Sequence, residues 1–255
     1  SPLSYIMVFF MAGMVIGSYF GIEAIVRYSA IIVPVIAFCY ILILLGTIPA
    51  IDINNIFPIL GNGADDIFLK GFLRVSVFGE LLILFLLPPF IGGNKKMKII
   101  GYSTLALSSF FLISGSLMYV LAFPYPVVLE PFLPVYEMAR IINLGRFFQR
   151  IEAIFVLIWD MSALLYLTSS FYFTVYSFSR AAGVKYMRPL LLPFAIIVFS
   201  MAFMPQNLIT VIQIETGIIN KFLWLVSFIF PALILIVANI RKRIRRTAND
   251  DREKS

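Results

Sequence analysis

The chain has 255 residues, of which 61% are hydrophobic and 13% charged, with a net charge of +7 and no histidine. A soluble domain would carry about 25% charged residues, so the composition excludes an ordinary soluble protein. The lack of histidine also excludes hydrolysis by a serine–histidine pair and removes the commonest zinc ligand.

Long apolar segments are the main structural signal in this sequence. Several approach or exceed the ~18 residues that a helix needs to cross a bilayer. Because they are continuous rather than alternating, they indicate helices and not a transmembrane β-barrel. We predict an all-α, polytopic membrane helix bundle with seven spans, at residues 4–22, 28–48, 72–91, 99–123, 151–178, 190–208 and 219–240. Residues 1–240 form the membrane domain in this prediction, and residues 241–255 form a basic tail.

Lysine and arginine in short loops predict the orientation of a membrane protein. Here the loops on the two sides are nearly balanced, so the seven basic residues of the 241–255 tail decide. We therefore expect a cytoplasmic C-terminus beside anionic lipid head groups. Seven spans would then put Ser1 outside, and no signal peptide precedes the first span. We expect an odd number of further spans upstream.

The first span carries Gly13, Gly17 and Gly21 at four-residue spacing. These glycines share one helix face, where a neighbouring backbone can approach closely. We expect tight helix packing there, with a substrate path along the same face as the alternative. Glu23 and Arg27 follow at the spacing of a favourable intrahelical ion pair.

The third span is interrupted near its midpoint by Gly79 and Glu80. A glycine beside a buried carboxylate is typical of a discontinuous membrane helix. The freed backbone groups and half-helix dipoles of such a break can hold a small zwitterion or an ion. The sequence therefore predicts a ligand site at Gly79–Glu80. The alternative is that Glu80 pairs with a neighbouring helix for packing alone.

The segment from Phe123 to Arg150 is too polar to cross the bilayer and contains several prolines. Within it, four apolar residues fall on one helical face: Val135, Met138, Ile141 and Ile142. That pattern predicts an amphipathic helix that lies in the membrane interface or caps a vestibule. Simple surface packing and a moving lid both remain open.

The fifth span carries a polar stripe formed by Asp160, Thr168 and Tyr172. At 100° per residue, these side chains fall within an arc of about 120°. Such a stripe faces protein or a cavity rather than lipid. Hydrogen bonding between helices explains it without a ligand. Ligand binding or proton transfer, with Asp160 as a charge site, is the other interpretation.

Four stretches of this chain carry a resemblance to a known family. In order they are GIEAIVRYSAIIVP (Gly21–Pro34), NIFPILGNG (Asn55–Gly63), FGELLILFLLPPF (Phe78–Phe90) and LGRFFQRIEAIFVLIW (Leu144–Trp159). Together they resemble the spore germination permease family, the B subunits of the nutrient germinant receptors of bacterial endospores. That family belongs to the amino acid, polyamine and organocation transporter superfamily.

The resemblance implies a fold of ten spans in two inverted repeats of five. This chain would then begin near the fourth span and end with the tenth. Its third span would be the family's sixth, a broken helix of the substrate site, with Phe78, Gly79 and Glu80 at the break. The fifth span of this chain would be the family's eighth, with Thr168 and Tyr172 as candidate residues of the substrate pocket. Asp160 departs from the family, where an apolar residue is usual.

The resemblance implies a subunit that senses a small nutrient, most simply an amino acid, and triggers germination with other receptor subunits. The alternative is a proton-coupled amino-acid transporter, in which Glu80 or Asp160 carries the proton. A structural subunit without ligand is a third interpretation. We expect no enzyme activity, cofactor, metal or nucleic acid partner. The expected location is the inner spore membrane or the cytoplasmic membrane.

Overall fold

The computed structural model describes residues 2–58, 63–129, 133–142, 151–205, 207–215, 217 and 220–253. Every regular element within these ranges is a helix, which confirms the all-α prediction. Part of two family-like stretches, residues 59–62 and 144–150, lies outside the described residues.

The α-helices of the described residues are, in chain order, α1 (Pro2–Phe20), α2 (Ile22–Thr47), α3 (Ala64–Arg74), α4 (Asn94–Ala122), α5 (Pro134–Ile141), α6 (Ile151–Ala181), α7 (Arg188–Ala202), α8 (Leu208–Ile214), α9 (Asn220–Trp224) and α10 (Phe230–Glu253). A long 3-10 helix, Val75–Leu86, continues directly from α3. A π-helical segment, Leu225–Ile229, joins α9 to α10. Short 3-10 turns at Ile48–Ala50, Ile53–Ile56, Pro88–Phe90 and Val127–Leu129 complete the set.

Four helices in the described part of the chain are long and apolar enough to cross a membrane. They are Ile22–Ala50, Lys95–Ala122, Phe155–Ala181 and Phe222–Arg241. In the apolar stretch of each helix, no more than 17% of the residues are buried within the protein. The outward apolar faces suit lipid. The spans predicted at 4–22 and 190–208 form shorter apolar helices, so the count of seven spans remains a prediction.

The chain folds into two compact units, each built from two separate stretches of sequence. Unit 1 comprises the described residues of Ser1–Ile59 and Pro89–Met204, and unit 2 those of Leu60–Pro88 and Pro205–Ser255. The segment that contains the predicted Gly79–Glu80 site therefore belongs to the same unit as the last apolar helix.

In unit 1, α6 is the helix on which the others pack, with α1, α2, α5 and α7 as its neighbours. One buried cluster joins α1, α6 and α7 through Met14, Phe171, Val175, Leu191 and Ala195. A second cluster joins α2, α4 and α5 through Ile43, Tyr119, Met138, Ala139 and Ile142. Burial of these side chains holds the helices of unit 1 together.

The amphipathic helix predicted after Phe123 forms as α5, and its inner face is packed into unit 1. Met138 and Ala139 are completely buried there, and Ile142 is 8% exposed. Ile141 is the exception, because its side chain is 39% exposed. The predicted apolar face therefore packs into unit 1 at Val135, Met138 and Ile142 and leaves Ile141 exposed. This residue ends α5, and the inward-facing side of the helix is centred on Met138 and Ala139.

Unit 2 contains α3, the 3-10 helix, α8, α9, the π-helical segment and α10. The 3-10 helix packs against α9 and the π-helical segment. The Phe72 ring of α3 contacts the Trp224 ring edge-on, with centroids 5.8 Å apart. The α-helix changes to a 3-10 helix at Val75, and both helices pack against α9.

Candidate functional site

The sequence-predicted site residues Phe78, Gly79 and Glu80 all lie in the 3-10 helix of unit 2. This helix has 12 residues, whereas runs of 3-10 helix longer than three or four residues are uncommon. The α-helical conformation ends at Arg74 and not at Gly79–Glu80. The interruption predicted at Gly79–Glu80 is therefore not found there, because the 3-10 helix runs through both residues and the change of conformation comes at Val75.

Gly79 is buried and marks a close approach of the 3-10 helix to the π-helical segment. A Cβ atom added to Gly79 would lie 2.6 Å from the Ser227 Oγ and 3.2 Å from the Leu223 Cδ2. The Cβ atom of Ser227 itself would be 3.7 Å away, an ordinary contact. The position therefore accepts glycine because any side chain would displace the Ser227 hydroxyl.

Two polar atoms at the junction of α9 and the π-helical segment are buried and have no hydrogen-bond partner among the described residues. They are the Oγ of Ser227 and the indole Nε1 of Trp224. Trp224 ends α9 and Ser227 lies within the π-helical segment. Buried polar atoms in proteins are nearly always hydrogen-bonded, so an unpartnered pair requires an explanation. Single-turn π-helical segments inside α-helices often occur at functional sites.

Sequence reasoning missed Ser227 and Trp224 as site residues. The signal was present, because a tryptophan and a serine three residues apart interrupt the last apolar segment. Neither residue stands out in a membrane helix, however, where tryptophan and serine are both common. Only the packing of the 3-10 helix against them indicates their importance.

Glu80 follows Gly79, but its side chain is exposed. The expectation of a buried carboxylate at this position was therefore wrong. The 3-10 helix turns 120° per residue, so the burial of Gly79 directs the next side chain away from α9. Phe78 is half-buried.

Thr168 belongs to unit 1, where it lies in the contact between α6 and α1. A Cβ atom on Gly17 would be 2.6 Å from the Thr168 Cγ2 atom, and one on Gly13 would be 2.7 Å from the Leu164 Cδ1 atom. The Thr168 hydroxyl donates to the Leu164 carbonyl oxygen at 2.7 Å. The predicted packing role of the glycine face is thus confirmed for Gly13 and Gly17.

Gly21 has a different role from the other two glycines. It separates α1 from α2 with φ at 87°, a left-handed conformation that favours glycine. No atom of the described residues beyond its own neighbours lies within 4 Å of a Cβ built at Gly21. The prediction that Gly21 shares the packing face was therefore wrong, because the helix ends before the third position of the repeat.

Tyr172 is buried in an aromatic column that runs along α6. Its ring stacks on that of Tyr176, with centroids 6.2 Å apart and planes 8° apart. Tyr176 also contacts Phe90, and the Arg180 guanidinium lies 5.2 Å from its ring centroid. The Tyr172 hydroxyl is hydrogen-bonded to the backbone of Ile22, the first residue of α2. Tyr172 therefore links α6 to the junction between α1 and α2.

Asp160 does not join Thr168 and Tyr172 on the buried side of α6. Thr168 and Tyr172 are 6% and 8% exposed, whereas Asp160 lies on an exposed part of the helix. The prediction that all three polar residues face protein or a cavity was therefore wrong for Asp160. The buried face of α6 follows the packing of α1 and α2, which lies to one side of the predicted arc.

Unit 1 also contains a cleft of about 670 Å³ between α2, α5 and α6, which sequence reasoning did not locate. Its lining is mainly apolar, and the lining residues with polar side-chain atoms are Cys39, Tyr40, Tyr136, Trp159 and Ser162. The Tyr40 hydroxyl donates to the Phe111 carbonyl oxygen at 2.8 Å, and the Ser162 hydroxyl donates to the Ile158 carbonyl oxygen at 3.0 Å. None of the predicted site residues lines this cleft, and its described lining offers no charged partner for an amino acid.

Comparison with known proteins gives one family and one curated relative. The sequence pattern of a family of spore permeases, described as "Spore germination protein", matches residues 1–211. The spore germination protein YndE of Bacillus subtilis (strain 168) is 25% identical over 229 residues. The match covers 88% of this chain and 61% of YndE, so the chain spans less than two thirds of that relative. No solved structure matches the chain.

Proposed function

The chain belongs to the spore germination permease family, and on that premise we propose that it senses a small nutrient and triggers germination. The nutrient we propose is an amino acid. The protein is an integral membrane protein, as its four long apolar helices and its family indicate. It acts, in this proposal, as one subunit of a germinant receptor.

The proposed arrangement in the membrane extends what the helices indicate. Seven spans of this chain would form the later part of a ten-span, five-plus-five inverted repeat. The basic tail, which continues α10 beyond the apolar stretch, would lie in the cytoplasm. The membrane would be the inner membrane of the spore. Thr168 and Tyr172 remain pocket candidates of unit 1 in this proposal.

The observation that carries the proposed site is the contact of Gly79 with Ser227. It brings together two irregular helices, a 12-residue 3-10 helix and a π-helical segment. Irregular backbone inside a membrane protein is stable only where it is buried in protein or lines a cavity. Broken membrane helices use such segments to bind small charged substrates. The site requires no catalytic residue, metal or cofactor.

Sensing requires that the nutrient bind one conformation of the protein better than another. To move an equilibrium from 1:99 to 99:1, the difference in affinity must be about 10⁴-fold. The 3-10 helix is a suitable moving element, because its hydrogen-bond geometry is poorer than that of an α-helix. Partner subunits would respond to the resulting shift in population.

The function is tested with spores that carry Glu80→Gln. We expect a higher amino-acid concentration for half-maximal germination, because in this proposal the exposed Glu80 carboxylate attracts the ammonium group of the nutrient. Glu215→Gln is the matched control, since Glu215 is an exposed glutamate of the same unit. Equal sensitivity of the two variants, at equal protein level in the spore membrane, would rule out a role for Glu80.

A further inference from the structure

The indole Nε1 of Trp224 and the Oγ of Ser227, which have no hydrogen-bond partner in the described part of the chain, support an inference about ligand chemistry. Both atoms are buried, and both lie in unit 2 beside the 3-10 helix. Leaving a buried donor without an acceptor destabilises a protein, so a protein retains such a pair when something else supplies the acceptor.

Both groups need a hydrogen-bond acceptor as a partner. An indole N–H can only donate a hydrogen bond, and a serine hydroxyl can donate one. Trp224 and Ser227 lie three residues apart in the sequence, where α9 continues into the π-helical segment. A carboxylate is the natural partner, because its two oxygens accept several hydrogen bonds and its charge strengthens them.

The surroundings favour a small ligand over a protein side chain. Gly79 contributes a bare backbone directly against the Ser227 Oγ, which leaves no side chain on that wall. The aromatic rings of Phe72 and Phe228 flank Trp224, with ring centroids 5.8 and 5.6 Å from that of Trp224. The result is two donors at the edge of an apolar, aromatic environment, where a charge-assisted hydrogen bond is stronger than in water.

We propose that the Ser227 hydroxyl and the Trp224 indole N–H bind the carboxylate of the sensed amino acid. This inference rests on the proposed function and adds to it the last apolar helix as a contributor to the site. Gly79 borders the site, because any larger residue there would collide with the Ser227 hydroxyl.

The test compares an amino acid with its amide, which lacks the carboxylate charge. Equilibrium binding of radiolabelled amino acids and their amides is measured with the full-length protein in lipid nanodiscs. Ser227→Ala and Trp224→Phe remove the two donors; the serine change deletes one oxygen atom, whereas the tryptophan change also shortens the ring that packs on Phe72 and Phe228. Trp159→Phe and Ser200→Ala are matched controls, because Trp159 and Ser200 lie in unit 1, outside the proposed site.

We expect the wild-type protein and both controls to bind the acid at least tenfold more tightly than the amide. Ser227→Ala and Trp224→Phe should each weaken binding of the acid about tenfold and leave binding of the amide nearly unchanged. If the site merely holds a structural water, the two substitutions should weaken binding of the acid and the amide equally, or weaken neither. Either result would overturn the inference.

The outcomes separate this inference from the function on which it rests. If the wild-type protein binds an amino acid and the two variants keep its preference over the amide, the inference fails and the function stands. If the wild-type protein binds no amino acid, the proposed function fails, and the inference falls with it. Thermal melting of each variant identifies any that does not fold, and Ser227→Ala alone then decides.

Discussion

Gly17 of α1 and Thr168 of α6 are in direct contact, and a Cβ atom on Gly17 would lie 2.6 Å from the Thr168 Cγ2. Ser18, the next residue of α1, donates a hydrogen bond from its hydroxyl to the Thr168 carbonyl oxygen at 3.3 Å. Small residues allow membrane helices to approach closely enough for such contacts. Thr168 therefore stabilises the pairing of α1 with α6, whether or not it also contacts a ligand.

Gly17→Ala should destabilise unit 1. The added methyl group meets a β-branched, buried side chain that has little freedom to move, and overpacking of this kind costs about 1–3 kcal/mol. The melting temperature of the purified protein should fall by several degrees. Gly71→Ala is the control, because none of the described atoms lies within 4 Å of its added Cβ atom. If both variants have the same melting temperature as the wild type, α1 and α6 are not packed as described.

The effects of Gly79→Ala and Ser227→Ala on the free energy of unfolding should be coupled. The Gly79 methyl group would clash with the Ser227 Oγ, and removal of that oxygen leaves the Ser227 Cβ at 3.7 Å. The double variant should therefore be more stable than the sum of the single changes predicts, by about 0.5–3 kcal/mol. Thermal or denaturant unfolding of the four proteins measures this energy. Strict additivity would contradict the contact.

Met138→Ala should destabilise the protein by about 2–5 kcal/mol, because it leaves a cavity under α5. Met138 is completely buried between α5 and the helices beneath it. Met204→Ala serves as the comparison, since that side chain is 75% exposed. Limited proteolysis within α5 should also become faster for Met138→Ala. An unchanged digestion rate and melting temperature would mean that α5 is not docked on unit 1.

Tyr40→Phe should weaken the pairing of α2 with α4 by about 1 kcal/mol or less. The Tyr40 hydroxyl donates to the Phe111 carbonyl oxygen at 2.8 Å and lies 2.9 Å from the Ser114 Oγ. Tyr102→Phe, at a side chain that is 74% exposed, should change nothing. Unfolding by titration with a denaturing detergent distinguishes the two, and equal curves would argue against the hydrogen bond.

Local patterns in the sequence predicted several features well. The apolar segments at 28–48 and 99–123 correspond closely to α2 and α4, because a helix of that length needs only a continuous apolar run. The four-residue glycine spacing predicted the contact surface of α1. The apolar spacing from Val135 to Ile142 predicted α5, although the pattern does not show how deeply Met138 is buried.

The remaining features depend on contacts that no single segment reveals. The start of the 3-10 helix at Val75 reflects packing against α9, which lies far away in sequence. Asp160 is exposed because α1 and α2 pack on the neighbouring side of α6. Ser227 becomes a candidate only when Gly79 lies opposite it, and Trp224 only because its buried indole N–H has no partner among the described residues. A sequence pattern indicates which face of a helix is apolar, but it does not indicate which helix packs against that face.

The proposed role of this protein, to make spores responsive to an amino acid, can be tested directly in spores. The measurement is the fall in optical density of spores with the protein deleted, and of spores with it restored, after each common amino acid is added. We predict that deletion abolishes or strongly reduces the response to at least one amino acid and that restoration returns it. An unchanged response of the deleted spores to every amino acid would contradict the proposed role.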